Sequence, residues 1–132
     1  MSGETTTTVI GNLTDNPQLR HTPAGDVTTF TVASTPRLID RATGQWSDGD
    51  TLFLRCSVWR TPAEHAAVSL YKGARVIVTG RLRQYSFQAN GEDERTVIQL
   101  DVEEVGASLR FCSAKIMKFT NAAPHRDTAP TT

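Results

Sequence analysis

The sequence predicts an all-β fold: a five-stranded barrel with one short α-helix between strands 3 and 4, plus an extra C-terminal strand. Short stretches of alternating apolar and polar residues recur along the chain and are separated by turn formers, which is typical of a β-barrel. A single short stretch has helical spacing instead. At 132 residues, the chain has the length of one domain.

Five stretches of alternating or β-branched residues predict the barrel strands. Successive side chains of a strand face opposite sides, so each strand presents one face to the core and one to the outside. The stretches are Thr6–Ile10, Val27–Ala33, Thr51–Trp59, Arg75–Phe87 and Thr96–Val105. In the second strand Phe30 and Val32 share one face, and in the fifth Ile98, Leu100 and Val102 are expected to point inward. Gly80 in the fourth strand suits a sharp bend.

The predicted helix begins at residues 61–64, T-P-A-E. A threonine cap, a proline at the first helical position and a glutamate at the third match a capping box. Alanines and a leucine then recur at helical spacing, and Gly73 is expected to end the helix. Its small apolar face suits a plug against the end of a barrel.

Two further segments are expected outside the barrel. Residues 36–50 are rich in turn formers and predict a long mobile hairpin arm that carries Arg37, Arg41 and Trp46. The alternative for this arm is a solvated loop with its tryptophan folded back onto the body. Residues 109–119 predict the extra strand, which a five-stranded barrel does not require, and it is expected to pair with another copy of the chain.

Two of the barrel strands carry aromatic rings and arginines opposite the core. On Thr51–Trp59, the core face is predicted to carry Leu52, Leu54, Cys56 and Val58, and the outer face Phe53, Arg55, Ser57 and Trp59. The outward face of the fourth strand carries Arg75, Ile77, Thr79, Arg81, Arg83, Tyr85 and Phe87. Bases stack on rings and phosphates pair with guanidinium groups, so this combination on two adjoining strands predicts binding of unpaired nucleic acid.

The candidate binding set contains five aromatic residues and five arginines. Its members are Phe53, Trp59, Phe87, Tyr85, Trp46, Arg37, Arg41, Arg55, Arg81 and Arg83. An alternative for Tyr85 and Phe87 is that they pack beneath a neighbouring subunit. The acidic tip of the last hairpin, residues 92–94, is not expected to touch phosphate.

The charges are balanced, with 14 basic and 14 acidic side chains. A basic domain is the usual footprint of nucleic-acid binding, so binding here depends on uneven placement of the charges. No apolar run approaches the roughly 20 residues of a membrane span, and no signal sequence is expected. The predicted location is the cytoplasm.

Cysteines and histidines give no sign of catalysis. Cys56 is predicted to be a reduced, buried thiol, while Cys112 has the alternative of a disulfide with its counterpart in another subunit. His21, His65 and His125 lie on a turn, a helix and a tail without ligand spacing. We therefore expect no metal, no cofactor and no enzymatic activity.

The order β-β-β-α-β-β is that of the oligonucleotide-binding (OB) fold. Within this order, six short motifs resemble bacterial single-stranded DNA-binding proteins. They are Val9-Ile10-Gly11-Asn12-Leu13, Asp15-Asn16-Pro17 with Arg20, Pro23-Ala24-Gly25, Asp40-Arg41-Ala42-Thr43-Gly44, Tyr71-Lys72-Gly73 and Val78-Thr79-Gly80-Arg81-Leu82. The likeness covers roughly residues 6–106, and both Gly44-Gln45-Trp46 and residues 109–119 resemble the actinobacterial branch.

The resemblance implies a homotetramer that coats single-stranded DNA at the nucleoid without sequence preference, in replication, recombination, repair or chromosome segregation. It places the stacking aromatics of the family at Phe53, Trp59 and Phe87. A fourth stacking position falls on Leu38, where an aliphatic side chain stacks poorly, and Trp46 is expected to compensate.

The C-terminal residues depart from the family pattern. Many family members end in an acidic tip that recruits replication and repair enzymes, and residues 127–132 contain none. The resemblance then implies a secondary paralogue that does not recruit enzymes by this route. Residues 1–119 are predicted to form the domain, including the additional strand, and residues 120–132 a disordered tail.

Two other functions fit the same fold. One is an OB-fold protein-interaction module, as in a primosome-like assembly, and the other is an RNA-binding OB domain. The dependence of affinity on salt distinguishes the protein-interaction module from a DNA-binding protein. Competing counterions weaken contacts with phosphate but leave an aromatic protein interface nearly unchanged.

Overall fold

The computed structural model describes residues 4–88 and 93–118. In this part of the chain there are eight strands and one helix. In chain order they are β1 (Thr6–Leu13), β2 (Gln18–Thr22), β3 (Gly25–Ser34), β4 (Arg37–Ile39), β5 (Trp46–Asp48), β6 (Leu52–Trp59), α1 (Thr61–Ser69), β7 (Arg75–Gln88) and β8 (Glu94–Ala107). The predicted arm is thus a hairpin, in which β4 and β5 pair antiparallel.

Five of the strands close into a barrel. Around the ring, β1 pairs with β7, β7 with β8, β8 with β6, β6 with β3, and β3 again with β1. All of these pairs are antiparallel except β6 with β8, which is parallel. The helix falls between the third and fourth strands of the ring in chain order, so the predicted OB fold is confirmed.

Two glycines permit close backbone contacts in the barrel. Near its end β1 leaves β7 and joins β3, and a Cβ atom on Gly11 would lie 2.3 Å from the Ala33 carbonyl oxygen. A Cβ atom on Gly80 would lie 2.1 Å from the Asp101 carbonyl oxygen, where the β7–β8 register shifts. The bend predicted at Gly80 therefore coincides with a bulge in the hairpin.

Apolar side chains from all five ring strands fill the barrel. The buried core consists of Leu13, Phe30, Val32, Leu54, Cys56, Val58, Val76, Val78 and Leu100. Helix α1 packs on the barrel through Ala63 and Ala66, and the buried Thr28 hydroxyl donates to the Ala63 carbonyl at 2.6 Å. No helix in the described ranges has the length and apolar character needed to cross a membrane.

The predicted capping box is wrong. The helix cap is Arg60, one residue earlier, and no side chain caps the first turn. Arg60 has φ 70°, and its backbone N–H donates to the Asp26 carbonyl at 2.8 Å. This contact with Asp26, near the start of β3, holds the backbone of Arg60 outside the helix, which begins at Thr61. The helix ends at Ser69, before Gly73.

Two further predictions need correction. The composition of residues 18–26 predicts only a turn, at Thr22-Pro23-Ala24-Gly25-Asp26, yet Gln18–Thr22 forms β2 and pairs antiparallel with β3. Ile98, expected inside the barrel, is 58% exposed because β8 passes beyond its pairing with β6 at this point. Residues 109–118 form no strand within the single chain, since the ring is already closed, and residue 119 lies outside the described residues. Pairing of this segment with another copy stays a prediction. The disordered tail predicted for residues 120–132 lies outside the described residues.

The C-terminal segment lies against the start of β7 through a ring contact. The Phe111 ring centroid is 5.5 Å from the guanidinium carbon of Arg75 and equally far from that of Arg110. Cation–π contacts of this kind stabilise an exposed ring by about 0.5–1 kcal/mol. The apolar side chains Leu109, Ile116 and Met117 of the same segment are exposed.

The two cysteines should differ strongly in reactivity. Burial raises the pKa of the Cys56 thiol to about 12, so this thiol stays protonated at neutral pH, whereas Cys112 is exposed. Because the thiolate is the nucleophile, we expect the native, reduced chain to react with DTNB at one thiol near pH ~8 and at both thiols in denaturant. The variant Cys112→Ser should show no fast reaction, and rapid labelling of both thiols in the native protein would contradict the burial of Cys56.

Candidate nucleic-acid interface

From Phe53 onward, strand β6 separates core residues from outward residues as predicted, whereas Leu52, predicted to face the core, is 51% exposed at the start of the strand. Leu54, Cys56 and Val58 are buried, whereas Phe53 and Trp59 are 65% and 37% exposed. Arg55 lies between these rings on the outer face and is also exposed.

Ser57, on the same face as Arg55, is buried because β8 lies alongside. The Gln99 side chain donates to the Ser57 hydroxyl at 3.1 Å. The outer face of β6 therefore continues directly onto β8.

Strands β6 and β7 do not adjoin, contrary to the sequence prediction, because β8 lies between them. The registers place Thr31 of β3 beside Arg55, Arg55 beside Gln99, and Gln99 beside Arg83 of β7. These residues form one row across four strands. The two predicted strands still contribute to a single face, with β8 supplying its middle.

An open groove runs along this face. It has a volume of about 680 Å³ and is lined by Thr31, Phe53, Arg55, Val97, Ile98 and Gln99. The three residues from β8 were missed as site residues, because the parallel pairing of β6 with β8 brings together residues far apart in sequence. The apolar Val97 and Ile98, 41% and 58% exposed, are large enough for a flat ring to pack on.

The arginines on this face differ in how they are held. The Arg55 side chain donates to the Thr29 hydroxyl at 3.3 Å and remains exposed. Arg81 forms ion pairs with two carboxylates, and its guanidinium lies 2.7 Å from Glu4 and 3.6 Å from Glu103. The hydrogen bond to Glu4, and then the charge of Glu4, raise the pKa of Arg81. Arg55 is therefore the more available of the two for a phosphate.

Arg83 and Tyr85 share one carboxylate. The Arg83 guanidinium is 3.3 Å from Asp101, and the Tyr85 hydroxyl donates to Asp101 at 3.3 Å. Burial, followed by the negative charge of Asp101, raises the pKa of Tyr85, so its hydroxyl stays a donor at neutral pH. The Tyr85 side chain is 37% exposed, which leaves part of its ring open to a ligand.

The arm hairpin holds the remaining described candidates. The Arg37 guanidinium carbon lies 5.8 Å from the Trp46 ring centroid, and its Nε is 3.4 Å from Asp48. Trp46 is 58% exposed, so its contact is with the arm and its ring remains open. Arg41, in the turn between the two arm strands, is exposed, and Leu38 is 53% exposed.

Two points about the site remain: the position of the candidate Phe87, and whether any group of side chains could hold a metal ion. Phe87 belongs to β7 and pairs with Arg95, but its side chain lies outside what the structure describes. Within residues 4–88 and 93–118, no group of three or more His, Cys, Asp or Glu side chains is placed to hold a metal ion.

An OB barrel with rings and arginines along one open face defines the class of oligonucleotide-binding modules. Residues 5–108 match the model of the single-strand binding protein family. The chain is 57% identical over 119 residues to the single-stranded DNA-binding protein of Mycobacterium tuberculosis, an alignment covering 89% of this chain and 73% of that protein. It is 58% identical over 119 residues to single-stranded DNA-binding protein 2 of Streptomyces coelicolor, covering 89% and 60%.

Solved structures agree with this assignment. The fold is similar to the crystal structure of a small single-stranded DNA-binding protein from Streptomyces coelicolor, with a TM-score of 0.70 and 32% identity over 81% of this chain and 96% of that chain. It is also similar to a Plasmodium falciparum SSB complex with ssDNA, with a TM-score of 0.72 over 82% and 97%, although 20% identity supports only the fold. The chain belongs to the single-strand binding protein family, and its predicted likeness to the actinobacterial members is confirmed.

Proposed function

We propose that this protein binds and protects single-stranded DNA without preference for base sequence. The observation that carries the proposal is the outer face of β6, where Phe53, Arg55 and Trp59 alternate with buried core residues. Membership of the single-strand binding protein family supports it.

The arrangement of this face explains how DNA is held. Bases stack on the exposed rings, principally Phe53 and Trp59, while phosphates pair with the arginines between and around them. Phe87, Tyr85 and Trp46 complete the stacking set. Arg37, Arg41, Arg55, Arg81 and Arg83 form the phosphate set. Every base has a flat face, so stacking tolerates any sequence, and an occupied base is unable to pair with a second strand.

The protein acts as a homotetramer. Ile10 on β1 and Ile77 on β7 are direct neighbours across the sheet, and they are 44% and 41% exposed on the outer face. Exposed apolar side chains that adjoin on a sheet favour association with another protein surface. This patch supports a contact between copies of the chain away from β6.

The mechanism is passive, and the protein is not an enzyme. Binding requires no cofactor, since rings and guanidinium groups supply the contacts. We assign the protein to the cytoplasm, at the nucleoid, where it serves replication, recombination, repair or chromosome segregation by covering DNA while it is unpaired.

Removal of one stacking ring should weaken binding alike for different sequences. We expect Trp59→Ala to cost about 1–3 kcal/mol, or roughly a 5- to 150-fold rise in Kd, for oligo-dT, oligo-dC and a mixed sequence. Fluorescence anisotropy with labelled oligonucleotides measures this change. The control is Tyr71→Ala, which removes an exposed ring between α1 and β7 and should leave Kd unchanged.

The same titrations separate the other functions. A loss confined to one sequence, or a dissociated tetramer by light scattering, would contradict the role given to Trp59. Equal affinity for oligo-dT and duplex DNA, or an affinity that does not fall with salt, would contradict the proposed function itself. Tighter binding of oligo-U than of oligo-dT would identify an RNA-binding domain instead.

A ring added to the arm should strengthen binding. Leu38 is exposed on β4 opposite Ser47, at the position where the family resemblance places a stacking residue. We expect Leu38→Trp to gain about 1 kcal/mol, roughly a fivefold fall in Kd for oligo-dT. Val68→Trp adds the same ring to an exposed site on α1 and should have no effect. Equal Kd values for Leu38→Trp and wild type would place the arm outside the DNA path.

A further inference from the structure

One carboxylate lies on the binding face among the groups assigned to DNA. Asp101 Oδ2 is 3.3 Å from Arg83 Nη1, and the Tyr85 hydroxyl lies 3.3 Å and 3.4 Å from the two oxygens of the same carboxylate. The Arg83 guanidinium carbon is also 5.6 Å from the centroid of the Tyr85 ring. Asp101 therefore contacts a phosphate-binding cation and a stacking ring at the same time.

The two members of this ion pair differ in exposure. The Asp101 side chain is 15% exposed, whereas that of Arg83 is 52% exposed. The carboxylate is thus fixed within the face, and the guanidinium stays open to solvent. A phosphate that reaches Arg83 either displaces the carboxylate or lies beside it. Displacement breaks the Arg83–Asp101 ion pair, and a phosphate beside the carboxylate is repelled by its charge, so both outcomes oppose DNA binding.

A similar arrangement recurs in the arm. Arg37 lies 3.4 Å from Asp48 and 5.8 Å from the Trp46 ring centroid. Both charged side chains are well exposed there, at 62% and 71%, so this ion pair is the weaker one. Two arginines of the candidate set therefore each have a ring and a carboxylate as neighbours, and the better-shielded carboxylate is Asp101.

We propose that Asp101 is a positioning residue of the DNA site, which holds Arg83 and Tyr85 in place before DNA arrives and competes with phosphate for Arg83. This inference rests on the proposed function. Because the carboxylate neutralises Arg83 in the free protein, this arginine adds little to the net charge that DNA meets. Asp101 therefore lowers the affinity for DNA and reduces its dependence on salt.

The test compares Asp101→Asn with wild type over a series of salt concentrations. Asparagine keeps the shape and one oxygen acceptor but removes the charge. The ligand is oligo-dT of about 15 nucleotides, near the upper site size of one OB fold. We expect Kd at low salt to fall by about twofold to fivefold, the range for one surface ion pair. The slope of log K against log salt should steepen by roughly 0.7, the value for one further phosphate contact on a single strand.

Two controls isolate the carboxylate. The first control, Asp15→Asn, makes the same chemical change in the β1–β2 loop. This loop lies beside the start of β7, because the Leu13 N–H just before it donates to the Ala74 carbonyl. This end of β7 lies roughly 26 Å from Arg83 along the strand, so neither Kd nor the slope should change. In an Arg83→Gln background, Asp101→Asn should lose most of its effect on Kd, because Asp101 contacts Arg83 directly and acts on Arg81 only as a weaker, more distant charge.

Two results would overturn the proposal. In the first, Asp101→Asn keeps the wild-type slope of log K against log salt and binds DNA with unchanged or weaker affinity, as a purely structural ion pair predicts. In the second, Asp101→Asn lowers Kd by the same factor in the Arg83→Gln background, which would indicate general repulsion between the carboxylate and DNA. Thermal melting checks the fold of each variant, and Asp101→Ser provides a second measurement of the slope. Failure of wild type to bind the oligonucleotide would instead count against the proposed function, so the two failures are distinguishable.

Discussion

The closed ring of five strands is the constraint on which the rest of the molecule depends. Once β1 pairs with both β7 and β3, every ring strand has one face inside and one outside. The interior accepts only apolar side chains of suitable size, and Gly11 and Gly80 admit the backbone contacts that closure and the bulge require. The outer residues of β3, β6, β8 and β7 are then fixed in rows, so a binding face needs no additional loop to organise it.

Local charge placement explains how a chain with 14 basic and 14 acidic residues can carry the arginines of the proposed DNA-binding face. Arg55 is exposed and contacts a neutral hydroxyl, whereas Arg81, Arg83 and Arg37 each lie beside a carboxylate. Such pairs orient the guanidinium groups and also moderate the attraction for phosphate. Affinity is therefore expected to depend strongly on stacking, which salt affects less than it affects ion pairs.

The sequence allowed the alternation of β6 and the core face of β7 to be predicted, because period-two patterns reflect burial directly. It did not reveal that β8 lies between them, since the pairing of Arg55 with Gln99 depends on the topology of the whole sheet. The acidic partners of Arg81 and Arg83 were missed for the same reason. The helix cap was misplaced because the conformation of Arg60 is set by its contact with Asp26, which no local motif encodes.

The central claim is that bases stack on the exposed rings of this face, and intrinsic tryptophan fluorescence tests it most directly. The protein is titrated with oligo-dT and, separately, with an abasic strand of the same length and charge. Stacking on Trp59 or Trp46 predicts strong quenching by oligo-dT and little by the abasic strand, because both strands offer phosphates but only one offers bases. Equal quenching by the two strands, or none by either while the protein is folded, would contradict stacking as the basis of binding.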